Sequence, residues 1–107
     1  MIHITYDRRS HKITVKGHAN SAEKGEDLVC ASASILTYTA AQNALHLQEK
    51  GYARHVSAKL TEGDSEIVCV PKCRYEAGTD LILSAVCVGF ELLSKQYPDN
   101  VSYEIKG

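Results

Sequence analysis

Ile2, Ile4 and Tyr6 alternate with polar positions, Ile13 and Val15 do the same, and Asp7-Arg8-Arg9-Ser10 between them has the composition of a turn. A period of two sends alternate side chains to opposite faces, so this segment predicts a β-hairpin with one buried face. From about Leu28 to Lys50 the period lengthens. Leu28, Ala31, Ile35 and Tyr38 follow one helical row, and Val29, Ala33, Leu36, Ala40, Ala44 and Leu47 follow another. An apolar surface this wide predicts a helix buried on more than one side, one of them facing a partner subunit. Gly51 stands where a left-handed C′ residue would end it.

Alternation returns at Val56, Ala58 and Leu60, breaks at Thr61-Glu62-Gly63-Asp64 and resumes over Ile67–Val70, which predicts a second hairpin stopped by Pro71. After Gly78-Thr79-Asp80, the residues Leu81, Ile82, Ala85, Val86, Gly89, Leu92 and Leu93 form the apolar stripe of a second helix reaching about Gln96. Pro98 and Asp99-Asn100 end it, and Val101, Tyr103 and Ile105 supply a last alternating strand. The order ββαββαβ puts two helices over a largely antiparallel sheet, an α+β sandwich. A chain of 107 residues suits one domain with one core.

Composition narrows the partners. A hydrophobic share of 44% and a charged share of 23% are those of an ordinary globular chain, and a net charge of −1 lacks the basic excess of a nucleic-acid surface. No uninterrupted apolar run approaches the roughly 20 residues that span a bilayer, and Met1–Ile4 opens a strand rather than a signal peptide. The expectation is a cytoplasmic protein with no membrane partner and reduced thiols. Cys69 and Cys87 fall on apolar rows and read as core, while Cys73 falls in a polar loop and reads as exposed. Three residues separate Cys69 from Cys73, and no fourth ligand stands near them, so no metal site is expected. His3 and His11 read as solvated strand residues, and His46 suits a helix C-terminus.

The chemistry concentrates in residues 17–34. His18 follows Gly17 at the exit of a strand, a polar stretch follows, and Cys30 opens the long helix. With Asp27 as N-cap, Cys30 would be N3, inside the turn whose amides lack intrahelical partners. The helix dipole favours a thiolate there, and a thiol of pKa about 8.5 falls to roughly 3.5–7.5 beside such a terminus or an imidazolium. His18 could then protonate a leaving group, and orphan amides could stabilise an oxyanion. Asp27 has two readings, helix cap first and orienter of His18 second. Ser34, one turn beyond Cys30, steadies the thiol or the substrate, or, the reading favoured in isolation, bonds a backbone carbonyl. The polar loop 19–26, with Asn20, Ser21, Glu23, Lys24 and Gly25, reads as a gate over Cys30 that moves aside for a substrate. Tyr38, Tyr52 and Tyr75 are candidates to line a substrate pocket, although aromatics at such positions are more often core or surface packing.

Gly17-His18-Ala19, Gly25, Asp27-Leu28-Val29-Cys30-Ala31 and Ser34 together resemble the signature of the ribosomal-processing cysteine proteases, the YsxB-like Prp family. Leu28 stands where isoleucine is common in that signature. Length and element order fit the family across residues 1–107, read as a single domain of this kind. The resemblance implies a cysteine endopeptidase with a His18–Cys30 dyad and no cofactor, working as a homodimer. It also implies a substrate, the precursor of large-subunit ribosomal protein number twenty-seven, cut after an aromatic residue to remove its N-terminal extension. The alternative is a non-catalytic, ribosome-associated dimeric binding module that uses its exposed sheet edge.

Overall fold

The computed structural model describes residues 1–18 and 24–107, with residues 24–27 described by their backbone alone. The first hairpin forms as its alternation demands. β1 (Ile2–Asp7) and β2 (Lys12–Lys16) pair antiparallel, with Ile4 opposite Val15 and Tyr6 opposite Ile13. The Asp7 carboxylate closes the turn by accepting the amides of Arg9 at 3.0 Å and Ser10 at 3.4 Å, and His11 takes a left-handed φ of 54°.

The second hairpin joins β3 (Ala53–Thr61) to β4 (Asp64–Pro71), and a final strand, β5 (Val101–Lys106), completes a sheet of order β3-β4-β2-β1-β5. β4 lies antiparallel to β2, and β5 runs parallel to β1. Register gathers Ile4, Tyr6, Ile13 and Ile67 on one face, while His3, Thr5, Thr14, Lys16 and Glu66 pair on the other. The helices α1 (Lys24–Glu49) and α2 (Glu76–Gln96) therefore both cover the apolar face, α1 over the β3–β4 side and α2 over the β5 side. Between sheet and helices lie Tyr6, Ile4, Ile13, Ile67, Val29, Leu83, Phe90 and Val101, all fully buried.

Both helix ends follow local chemistry. The Gly51 amide bonds the Gln48 carbonyl and the Tyr52 amide bonds the Leu47 carbonyl, a Schellman end with Gly51 at φ 77°. A 3₁₀ turn at Cys73–Tyr75 leads into α2, whose first turn carries Glu76. α2 is long and apolar enough to cross a bilayer by length and composition, with a mean hydropathy of 1.5 over its window. Its inner row of Thr79, Leu83, Val86, Cys87, Phe90 and Leu93 accounts for much of that hydropathy as core.

The start of α1 departs from the sequence expectation. The helix begins at Lys24, so Asp27 lies within it and is not its N-cap. Of the expected gate, Asn20, Ser21 and Glu23 lie outside the described residues, while Lys24 and Gly25 belong to the helix backbone.

Candidate active site

The chain leaves β2 through a position only glycine can hold. Gly17 has φ 103°, and a Cβ there would stand 2.1 Å from the Met1 carbonyl oxygen. Its amide bonds the Gly63 carbonyl at 2.9 Å, and the Met1 ammonium donates to the His18 carbonyl at 2.8 Å. His18 is thus tied on one side to the start of β1 and on the other to the tip of the β3–β4 hairpin.

Facing it is the N-terminal part of α1. His18, Cys30 and Ser34 line one cavity of about 360 Å³, together with Thr61, Glu62 and Gly63 from the hairpin. Ile2, Val15, Ala33 and Leu60 give the cavity its apolar surface, and Thr37 and Tyr38 extend it along α1. The Cys30 thiol and the His18 ring are both exposed. A thiol and an imidazole on one cavity are the parts needed for nucleophilic attack and proton transfer.

Several expectations change here. Among the described residues α1 already includes 24–27, a full turn before Cys30. Cys30 therefore lies beyond the first turn of α1 and is not its N3 residue. Ser34 does not bond a helix carbonyl. Ser32, Thr37 and Thr39 each donate to the carbonyl four residues earlier, whereas the Ser34 hydroxyl has no hydrogen-bond partner among the described residues and lines the cavity. Of the three tyrosines, Tyr38 alone lines this cavity. Tyr52 and Tyr75 stack on each other with ring centroids 4.3 Å apart. The side chain of Asp27 lies outside the described residues.

The other thiols divide as their positions in the sequence imply. Cys69 and Cys87 are buried and Cys73 is exposed. Burial raises the Cys69 thiol and pushes Cys87 up to about 11, keeping both as neutral core groups. Among the described residues no three His, Cys, Asp or Glu side chains gather in a metal-binding group. Sequence reasoning missed the hairpin's share of the cavity. Leu60 to Gly63 read as strand and turn, and nothing in their spacing shows that the turn folds back over the exit of β2.

An open α+β sheet with a thiol and an imidazole on one cleft has the equipment of a small cysteine hydrolase. The chain belongs to the Prp cysteine protease family, whose model, described as Cysteine protease Prp, matches residues 1–102. It is 29% identical over 98 residues to the ribosomal processing cysteine protease Prp of Mycoplasma pneumoniae, covering 88% of this chain and 86% of that protein. Its fold matches the S. aureus ribosomal processing protease Prp holding a covalently linked product peptide, with a TM-score of 0.76, 22% identity and 99% and 100% of the two chains covered. The same S. aureus protease with a substrate peptide matches with a TM-score of 0.75, 20% identity and the same coverage. SMU.848 of Streptococcus mutans matches with a TM-score of 0.67 at 21% identity over 98% of this chain and 91% of that one.

Proposed function

We propose that this cysteine protease removes the N-terminal extension from the precursor of large-subunit ribosomal protein number twenty-seven, in the cytoplasm, by a His18–Cys30 dyad. The observation that carries the proposal is the common cavity of His18 and Cys30. Support for the substrate comes from the family and from the ribosomal processing role in the name of the M. pneumoniae relative. In the proposed cycle the Cys30 sulfur attacks the scissile carbonyl carbon while His18 holds the thiol proton. His18 passes that proton to the departing amine, and a thioester joins the extension to Cys30. His18 then takes one proton from water, whose oxygen displaces the sulfur; the extension leaves as a carboxylate with its other proton lost to solvent, and the proton on His18 returns to the Cys30 sulfur. The apolar surface of Ile2, Val15, Ala33 and Leu60 suits an aromatic side chain before the cut. Ser34, which lines the same cavity one turn from Cys30, would steady the substrate.

The reading includes a homodimer. Ile35 on α1 and Leu81, Val88 and Leu92 on α2 are 62%, 72%, 58% and 53% exposed, and an apolar groove lined by Leu36, Ile82, Val86 and Gly89 runs between the helices. Aliphatic surface of this kind is the sort a second copy would cover.

The test is cleavage of a synthetic peptide spanning the extension junction, followed by mass spectrometry. We expect one cut after an aromatic residue by the wild type, lost in Cys30→Ala and reduced by about 10² or more in His18→Ala. Cleavage that persists in Cys30→Ala would end the proposal.

A further inference from the structure

We propose that Gly63, at the tip of the β3–β4 hairpin, is a positioning residue for the His18 imidazole, with its missing side chain as the working feature. The inference rests on the His18–Cys30 reading above. A Cβ at Gly63 would stand 2.3 Å from His18 Nε2, 2.5 Å from Cε1 and 3.1 Å from Cδ2. The ring therefore occupies the space that any other residue at this position would fill.

The support beneath the ring is fixed from several sides. The Gly63 carbonyl accepts the Gly17 amide at 2.9 Å, one residue before His18. Asp64 stands opposite Lys16 in the β2–β4 register and pairs with it at 3.6 Å, while Lys59 holds the same carboxylate at 2.6 Å. The Thr61 hydroxyl closes the turn on the Asp64 carbonyl. Hairpin tip and strand exit form one frame, and the imidazole lies in the gap that glycine leaves.

Backbone conformation alone would also place a glycine here, since φ is 74°. Gly51 separates the two causes. Its φ is 77°, yet the nearest atom to a Cβ there is Lys72 Nζ at 3.9 Å. Alanine at either position meets the same left-handed strain, but only at Gly63 does it meet the ring. Because the ring is the free end of a side chain with two rotatable bonds, it yields before the hairpin does. The fold is kept and the imidazole is displaced.

The experiment compares Gly63→Ala, Gly63→Asn, Gly51→Ala and His18→Ala. It measures iodoacetamide alkylation of Cys30 against pH in a Cys73→Ser background, with peptide cleavage and thermal melting alongside. Asparagine accepts a positive φ and still carries a Cβ, so it separates strain from contact. We expect both Gly63 variants to shift the alkylation profile toward that of His18→Ala and to lose about a hundredfold in kcat, as a misplacement near 1 Å can. Gly51→Ala keeps the wild-type profile. A folded Gly63→Asn protein with wild-type profile and cleavage overturns the inference and leaves the dyad standing. Wild-type behaviour of His18→Ala overturns the dyad itself.

Discussion

At Asp80 the end of β1 and the turn that follows it meet the start of α2. The Tyr6 hydroxyl donates to its Oδ1 at 2.5 Å, and Arg8 reaches both oxygens, from Nε at 3.2 Å and from its terminal nitrogen at 3.0 Å. The Arg8 guanidinium first, then the Tyr6 hydroxyl, holds the Asp80 carboxyl below its ordinary value. A carboxylate depressed in the folded state contributes its stabilisation above the unfolded pKa of about 3.9 and loses it as pH falls through the folded value. Asp80→Ala should therefore cost about 1–3 kcal/mol at pH 7, and the gap to wild type should close below about pH 4. Urea unfolding at several pH values checks both parts. At this same scale the sequence reveals unevenly. Gly17, His18 and Cys30 can be picked out because their types are chemically specific and their resemblance to the family signature is local. Gly63 could not be, because its reason is an imidazole beyond the end of β2, far away in the chain. Asp27 misled for the opposite cause: an acid before an apolar run suits an N-cap, yet an acid also suits the first turn proper, and here the helix starts earlier.

At the scale of elements, α2 holds the sheet through a single row, and Phe90 is its largest fully buried member. Phe90→Ala should cost about 3–5 kcal/mol, against a typical total stability of 5–15 kcal/mol, with Phe90→Leu costing much less. Chemical denaturation of the two variants tests this. The seven main elements were all legible, since each change from period two to the helical period is marked by a glycine, a proline or a polar turn. Their arrangement was not. Pairing β2 with β4, and β1 with β5, depends on contacts between segments far apart in the chain, which a local period does not encode.

For the molecule as a whole, the outer surface of the helix layer is the part the fold leaves unexplained. The inner face of α2 is consumed by the core, while Leu81 and Val88 point outward. If this surface joins two copies, Leu81→Lys with Val88→Lys should convert a dimer to a folded monomer, read by size-exclusion chromatography with light scattering. A wild type that elutes as a monomer at high micromolar concentration would rule the dimer out.

The parallel pairing of β1 with β5 has one more consequence. His3 Nδ1 and Ser102 Oγ lie 2.8 Å apart although the residues are 99 positions apart in sequence. β1 thus has its second neighbour only once β5 has been synthesised, so closure of the sheet carries a large loop entropy and a high contact order. During translation the thiol of Cys30 and the strand exit bearing His18 emerge long before the sheet that frames them is whole. If these two groups form the proposed dyad, a nascent chain holds them without the finished scaffold, and cleavage begins only once β5 is paired.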